Sequence, residues 1–111
     1  MTVQRIAAFS DAGQGGNPAG IVIADHFPPE AEMRRIAAEV GYSETAFAVP
    51  WGAADQWRVR YFSPESEVPF CGHATIALGA ALAGHSGEGR FELELNAATI
   101  SVEAAVSDKG Y

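Results

Sequence analysis

The sequence of 111 residues has a single cysteine, few basic residues and no long hydrophobic run. One cysteine excludes an internal disulfide and agrees with a reducing compartment. Seven lysines and arginines stand against 14 aspartates and glutamates, which gives a net charge of −7. Because a nucleic acid or an anionic membrane would repel such a surface, we expect neither as a partner.

The longest uncharged stretch lies between Glu67 and Glu88, contains two histidines and consists mostly of alanine and glycine. This composition predicts a buried helix with turns and not a membrane span. The N-terminus leads directly into a predicted strand and has no basic segment followed by a long apolar one. We therefore expect no signal peptide and a cytoplasmic location.

Along the chain, segments with the apolar spacing of strands alternate with segments that have the spacing of helices. This order is typical of an α+β protein, which we expect to form one domain over residues 1–111. Six segments are predicted to be strands: 3–9, 19–24, 45–49, 56–62, 90–95 and 99–104. After the second of these, prolines and acidic residues predict the first turn of an amphipathic helix, which Gly41 ends. Its apolar residues repeat with a spacing close to 3.6.

A second helix is predicted over residues 74–83, which carry no charge and mostly small apolar side chains. A helix that is apolar on every side must be enclosed, so we expect the strands to wrap around it. Its first N–H groups, at Gly72, His73 and Ala74, would then point into a cavity. Gly72 would let a ligand approach the backbone, and the positive end of a buried helix attracts anions. The sequence therefore predicts an anion-binding site at this helix start.

Three side chains near this helix have two interpretations each. Glu44 is either a solvated glutamate at a strand end or, if it faces the cavity, a proton-transferring group. His73 is either a satisfied polar residue or a donor to a substrate carboxylate or carbonyl. Cys71 is either a small buried residue or a thiol activated by the helix dipole. The remaining histidines, His26 and His85, form no metal-ligand spacing with His73, so no metal site is predicted.

Two short motifs approach known functional patterns, but each lacks a necessary residue. The glycine-rich loop at 13–20 has Pro18 where a dinucleotide-binding loop needs its third glycine, and a strand follows it. The segment 41–45 has Thr45 where a serine hydrolase elbow needs glycine, and it runs from helix to strand. We expect neither a phosphate-binding loop nor a serine hydrolase.

Four further motifs follow one another between residues 9 and 75. They are F-S-D with G-N-P-A-G within 9–20, I-A with Y-S-E-T-A-F within 36–47, R with Y-F-S-P within 58–64, and E-V-P-F-C-G-H-A-T at 67–75. In this order and spacing they resemble the phenazine-biosynthesis PhzF-type isomerase family. The resemblance implies a diaminopimelate epimerase-like fold, in which each of two domains has a mixed, barrel-like sheet around a central helix. We expect this chain to hold the N-terminal domain alone, without the second.

The same resemblance implies site residues and a reaction. Glu44 matches the family's general acid/base, while Gly72 and His73 match positions that hold the substrate's polar groups at the helix start. We expect further substrate contacts from Asn17, Cys71, Ala74 and Thr75. The implied reaction moves a proton within a small, carboxylate-bearing substrate and needs no metal or organic cofactor.

Family members place the active site in the cleft between their two domains, and this leaves two functions open. The chain is either an isomerase that works as a homodimer, in which a two-fold axis reproduces the two-domain arrangement, or a truncated module that binds small molecules or has a structural role without catalysis. The second reading follows because a one-walled pocket cannot exclude water.

Overall fold

The computed structural model describes residues 4–8, 17–41, 44–87 and 89–104. In chain order its elements are β1 (Gln4–Ala8), β2 (Asn17–Ile23), α1 (Glu30–Val40), β3 (Thr45–Trp51), β4 (Ala53–Phe62), β5 (Glu67–Val68), α2 (Gly72–Ser86), β6 (Gly89–Glu94) and β7 (Thr99–Ala104). Within these ranges seven strands form one sheet in the order β1-β2-β3-β4-β6-β7, and β5 pairs with β4.

Each parallel strand pair in this sheet is connected through a helix. β2 and β3 are parallel and α1 lies between them in the chain, while β4 and β6 are parallel and α2 lies between them. Parallel neighbours need a long crossover, which a helix commonly supplies. The pairs β1–β2, β3–β4, β4–β5 and β6–β7 are antiparallel, so the sheet is mixed.

Helix α1 covers one face of the sheet and is the amphipathic helix predicted from the sequence. Its buried residues are Met33 and Ala37, which belong to a core shared with Val22, Phe47 and Phe62 of the sheet. Gly41 follows the helix with φ 77°, a left-handed conformation that glycine adopts easily, and its N–H bonds the carbonyl of Ala37. The start differs from the prediction, because Pro29 precedes the first turn as the N-cap residue.

Helix α2 contacts β1, β2, β3 and β7. Since β1 and β7 are the two ends of the strand order, the sheet curves around this helix. All residues from 74 to 83 are buried except Ile76, whose exposed fraction is 44%. The prediction that strands enclose an apolar helix is confirmed. Ile76 is the one residue of the range 74–83 that stays exposed.

The period of two along the strands separates two apolar cores on opposite faces of the sheet. Members of the larger core contact α2 and include Ile21, Ala46 and Tyr61. Their direct neighbours in sequence, Val22, Phe47 and Phe62, belong to the core under α1. The alternation therefore fixes which helix each strand residue touches.

Several boundaries differ from the sequence prediction. β3 continues through Pro50 to Trp51, where its register with β4 shifts, and β4 begins at Ala53 instead of residue 56. β5 is not among the predicted strands, and it pairs with the end of β4. Of the predicted glycine-rich loop at 13–20, residues 13–16 lie outside the described residues, and residues 17–20 belong to β2. No helix in the described part of the chain combines the length and hydrophobicity needed to cross a bilayer.

Candidate active site

The start of α2 is open to a ligand. Cys71 is the N-cap residue in an extended conformation, and its side chain makes no capping hydrogen bond. The first turn is closed by the N–H of Thr75, which donates to the carbonyl of Cys71 at 3.0 Å. Gly72 is exposed, and a Cβ built there would meet only the ring of Phe70, at 3.9 Å. A ligand can therefore reach the backbone N–H groups at this end.

Glu44, directly before β3, reaches this helix start from a distant part of the sequence. Its Oε1 accepts a hydrogen bond from the thiol of Cys71 at 3.1 Å and lies 3.5 Å from Nε2 of His73. The side chains of Glu44 and His73 are 19% and 18% exposed. Of the two interpretations of Glu44, the solvated strand end does not match this geometry, because the carboxylate is half-buried and faces α2.

The backbone position of Glu44 depends on a close approach of β2 to β3. The carbonyl of Glu44 accepts a hydrogen bond from the N–H of Gly20 at 3.2 Å. A Cβ on Gly20 would lie 2.9 Å from Oγ1 of Thr45 and 3.0 Å from Cγ1 of Val40. These separations leave no room for a side chain, so the glycine allows the pairing that holds Glu44 in place.

The Cys71 thiol is a hydrogen-bond donor in this cluster. Burial raises the pKa of Cys71 and the Glu44 carboxylate raises it further, while the backbone N–H groups of Ala74 and His73 act in the opposite direction. With its pKa above the usual value, the thiol is protonated at neutral pH. The structure therefore does not match the interpretation of Cys71 as a thiol activated by the helix dipole.

The buried hydroxyl groups of Thr75 and Tyr61 form hydrogen bonds that hold the start of α2 in place. Oγ1 of Thr75 donates to the carbonyl of Cys71 at 2.8 Å and lies 2.7 Å from the hydroxyl of Tyr61. Because Thr75 has one hydroxyl proton and uses it on Cys71, Tyr61 is the donor in the second bond. Burial raises the pKa of Tyr61 to about 12. Tyr61 is not among the predicted site residues, and the signal that could have found it is the alternation in β4 of Trp57, Val59 and Tyr61 with arginines.

An anchored loop leads from β4 to α2. Glu67 in β5 accepts hydrogen bonds from Arg60 at 2.7 and 2.8 Å and from Nδ2 of Asn96 at 2.8 Å. The hydrogen bond from Arg60 lowers the pKa of Glu67, and burial only partly offsets it. This charge-assisted pair fixes the segment that precedes Cys71.

An apolar hollow of about 280 Å³ is lined by residues that come just before the helix start in sequence and by the β6–β7 hairpin. Its lining residues are Pro69, Phe70, Leu95, Ala97, Ala98 and Ile100. Phe70 is 52% exposed and packs edge-on against Tyr61, with 6.0 Å between ring centroids. The hollow can accommodate the apolar part of a small ligand.

The remaining predicted site residues have less direct access to a ligand. Ala74 is buried, and its N–H acts on the sulfur of Cys71. Thr75 is 6% exposed, and its hydroxyl is bonded within the fold. Asn17 lies in β2 opposite Ala8, and its side chain is outside the described residues. The substrate contacts expected of these three residues stay predictions.

Fold and site together define an epimerase-like α+β domain, with a sheet curved around a helix and a carboxylate at the helix start. A solved structure described as a predicted epimerase from Pseudomonas aeruginosa aligns with a TM-score of 0.89 over 97% of this chain and 39% of that chain, at 22% identity, which shows the fold alone. A PhzF family protein of Bacillus anthracis aligns with a TM-score of 0.81 over 97% of this chain and 37% of that chain, at 37% identity.

The model of the phenazine biosynthesis-like (PhzC-PhzF) family matches residues 6–111, and the chain belongs to this family. An uncharacterized isomerase, YddE, of Escherichia coli K12 is 47% identical over 75 residues, which are 68% of this chain and 25% of that protein. The trans-2,3-dihydro-3-hydroxyanthranilate isomerase of Pseudomonas fluorescens is 36% identical over 99 residues, 88% of this chain and 35% of that protein. The chain thus spans about a quarter to a third of the length of these curated relatives. The predicted family and fold class are confirmed.

Proposed function

We propose that this chain carries the proton-transferring part of an isomerase site, with Glu44 as the general acid/base. The observation that supports this proposal is the position of its Oε1, 3.1 Å from the Cys71 thiol and 3.5 Å from His73 at the open start of α2. An acid/base group then lies beside an end of the helix that attracts anions. Relatives named as isomerases support the same reaction class.

The proposed substrate is small and cyclic and carries a carboxylate, which the N–H groups of Gly72 and His73 receive. Glu44 removes a proton from one substrate carbon, and the electrons of that C–H bond move into the conjugated system of the ring. The same carboxyl group returns the proton to another carbon. Atoms and electrons balance within the substrate, so the step needs no oxidant, metal or organic cofactor.

Cys71 and His73 have different proposed roles in this step. Both contact Oε1 of Glu44, which leaves Oε2 without a hydrogen-bond partner among the described residues. We assign proton transfer to Oε2, and Cys71 is a positioning residue that orients the carboxylate. His73, at the helix start, donates to the substrate carboxylate or carbonyl and is the second catalytic side chain.

The exchange of Glu44 for glutamine tests the acid/base role. Trans-2,3-dihydro-3-hydroxyanthranilate serves as the probe, and deuterium incorporation from D2O reports proton transfer. We expect Glu44→Gln to lower turnover by about 10²- to 10⁴-fold, because the amide cannot carry the proton. Binding is measured with an aromatic analogue of this probe that undergoes no reaction, and we expect its affinity to stay nearly unchanged. The matched control is Glu65→Gln, at an exposed glutamate. Full turnover in Glu44→Gln would contradict the role.

A second variant pair tests whether the substrate binds at the helix start. The environment of Gly72 has space for a methyl group, so Gly72→Ala should fold normally. The methyl group would nevertheless stand between the ligand and the backbone N–H groups, and we expect at least a tenfold loss of analogue affinity, equivalent to about 1.4 kcal/mol. Gly84→Ala, near the other end of α2 and also without a close neighbour, is the control. Equal affinity in both variants argues against carboxylate binding at this end.

Exposed apolar residues around the site support the proposal of a homodimer. Phe70 and Ile76 are 52% and 44% exposed and lie before and after Gly72 in sequence. Two-fold pairing through this surface would cover both residues and close the site against water. Light scattering of the purified chain should then give twice the monomer mass, and Phe70→Ser should shift it towards the monomer. A monomer at every concentration tested removes this part of the proposal.

The exposure of Gly72 and Phe70 also favours a second candidate, a small-molecule-binding module without turnover. Water that reaches the site weakens the electrostatic interactions that stabilise a transition state. This candidate predicts that the aromatic analogue binds, that deuterium is not incorporated and that Glu44→Gln changes neither result.

A further inference from the structure

We propose that the side chains of Glu44, Cys71 and His73 form a binding site for Zn²⁺. Each contributes one ligand atom to the same half-buried group: a carboxylate oxygen, the thiol sulfur and an imidazole nitrogen. Zinc takes these three donor types in proteins, with a fourth position left to water in open sites. The site overlaps the proposed proton-transfer group, but zinc binding itself does not depend on any turnover.

The spacing of the three atoms matches the size of the ion. Oε1 of Glu44 lies 3.1 Å from Sγ of Cys71 and 3.5 Å from Nε2 of His73, and Sγ lies 3.8 Å from Nε2. A point in the plane of this triangle is about 2.0 Å from all three atoms, and Zn–O, Zn–N and Zn–S bonds are about 2.0, 2.1 and 2.3 Å. A small displacement of the ion, mostly out of this plane and slightly away from the sulfur, gives all three bond lengths without a change of the backbone.

The donor set selects among metal ions. Mg²⁺ and Ca²⁺ prefer sites made of oxygen atoms, whereas a thiolate with an imidazole favours Zn²⁺ and other softer ions. On binding, the Cys71 S–H bond breaks, its electron pair goes to the metal and the proton passes to the solvent. The ion can enter from the open side, since Gly72 is exposed next to two of the ligands.

The spacing of the histidines in the sequence predicts no metal site, because the third ligand of this cluster is distant from the other two in sequence. Only Cys71 and His73 are near each other in sequence, and Glu44 lies directly before β3, 27 residues before Cys71. The parallel pairing of β2 with β3 and the packing of α2 inside the sheet are what bring the third ligand to the other two.

Zinc at this position would regulate the proposed reaction. The ion would bind Oε1 of Glu44, lower the basicity of the whole carboxylate including Oε2, and occupy the helix start, so a zinc-bound chain could not take up a substrate proton. This consequence rests on the proposed function, whereas the binding does not. A chelator should restore turnover in the intact chain.

The experiment measures metal binding on the metal-free full chain without a substrate. Zn²⁺ is titrated in competition with a chromophoric chelator, and Co²⁺ is added separately because a cobalt–thiolate bond has a charge-transfer absorption. We expect one zinc per chain and a cobalt–thiolate band. We expect Cys71→Ser to lose the band and bind zinc at least about 100-fold more weakly, since one of three protein ligands is changed.

A matched pair of histidine variants separates this site from adventitious binding. His73→Asn should weaken zinc binding by about tenfold or more, whereas His26→Asn, at an exposed histidine outside the cluster, should not. The proposal is overturned if the intact chain shows no cobalt–thiolate band, or if Cys71→Ser or His73→Asn binds zinc like the wild type. The band is read on the unaltered chain, so it decides even if a variant does not fold. Loss of turnover in Glu44→Gln has no bearing on this result.

Discussion

The two helices cover opposite faces of one sheet, and each connects a parallel strand pair, yet their surfaces differ. α1 has an outer face of arginines and glutamates, with Arg35 paired to Glu32 and Glu39. α2 has no acidic residue in its first turn and buries nearly all its residues from 74 to 83. The polar side chains of α1 are solvated, whereas the N-terminal end of α2 lies at the proposed site.

This difference indicates that the two helices have different tasks. An amphipathic helix needs one apolar neighbour, and its exposed side tolerates change. A helix without a polar face needs enclosure on all sides, and the enclosure brings distant segments such as Glu44 to its start. We therefore expect stability and function to be sensitive to α2 and to the groups that hold it, and much less to the outer face of α1.

The largest effect is expected when the same substitution is made in both helices. Ala77 is 1% exposed in α2, and Ala77→Glu would bury a carboxylate without a partner, at a cost of several kcal/mol in a domain whose total stability is typically about 5–15 kcal/mol. We expect this variant not to fold, as measured by circular dichroism. Ala38→Glu on the exposed face of α1 should change the free energy of unfolding by less than about 0.5 kcal/mol. Cooperative unfolding of both variants at the same urea concentration would contradict the comparison.

A smaller effect is expected from Tyr61, which supports the start of α2. Tyr61→Phe removes its hydrogen bond to Thr75 and should lower the free energy of unfolding at neutral pH by about 1 kcal/mol. The folded pKa of Tyr61 is about 12 against an ordinary value of 10.0, so the protonated phenol stabilises the fold. That contribution is full below pH 10 and is lost as the pH rises towards 12.

Urea unfolding at a series of alkaline pH values checks this prediction. The wild type should lose stability more steeply than Tyr61→Phe above pH 10, with a difference of about 2–3 kcal/mol at the upper end. Parallel curves for the two proteins would mean that the Tyr61 phenol ionises as freely in the folded chain as in the unfolded one.

The smallest effect is expected from the ion pairs, and it should again differ between the two regions. Glu67→Gln weakens the half-buried contact to Arg60 that anchors the segment before α2, and should cost about 1 kcal/mol. Glu39→Gln at the exposed pair on α1 should leave the unfolding midpoint unchanged.

Acid pH provides the second readout for the Glu67 pair. Because the folded pKa of Glu67 is lowered, its stabilising contribution is present above the unfolded value of about 4.3 and is lost as the pH falls through the lower folded pKa. Glu67→Gln should therefore show a shallower loss of stability below about pH 4 than the wild type or Glu39→Gln. If the free energy of unfolding falls equally with acid pH in the three proteins, Glu67 is solvated in the folded chain and the prediction is wrong.

The sequence was sufficient to predict most of the fold, because the relevant signals were local. The uncharged run at 74–83 indicated an enclosed helix, and Gly41 marked the end of the other one. The errors arose where tertiary pairing decides: β5 has only two residues and exists because β4 supplies a partner, and β3 continues through Pro50 beside the start of β4.

The candidate site was only partly predictable for the same reason. Cys71, Gly72 and His73 are neighbours in one motif, and Glu44 belongs to another, so the four residues could be found. Their mutual geometry could not, because it depends on the pairing of β2 with β3 and on the position of α2. The support from Tyr61 through Thr75 was missed, since a hydroxyl bond across 14 residues leaves no local pattern.

The close approach at Gly20 has a consequence for redesign of this fold. The space that a side chain at position 20 would need is already filled by Thr45 and Val40. A larger residue at position 20 is therefore compatible with this backbone only together with smaller residues at position 45, next to the glutamate, and at position 40. Library designs around the carboxylate should vary these three positions together and not one at a time.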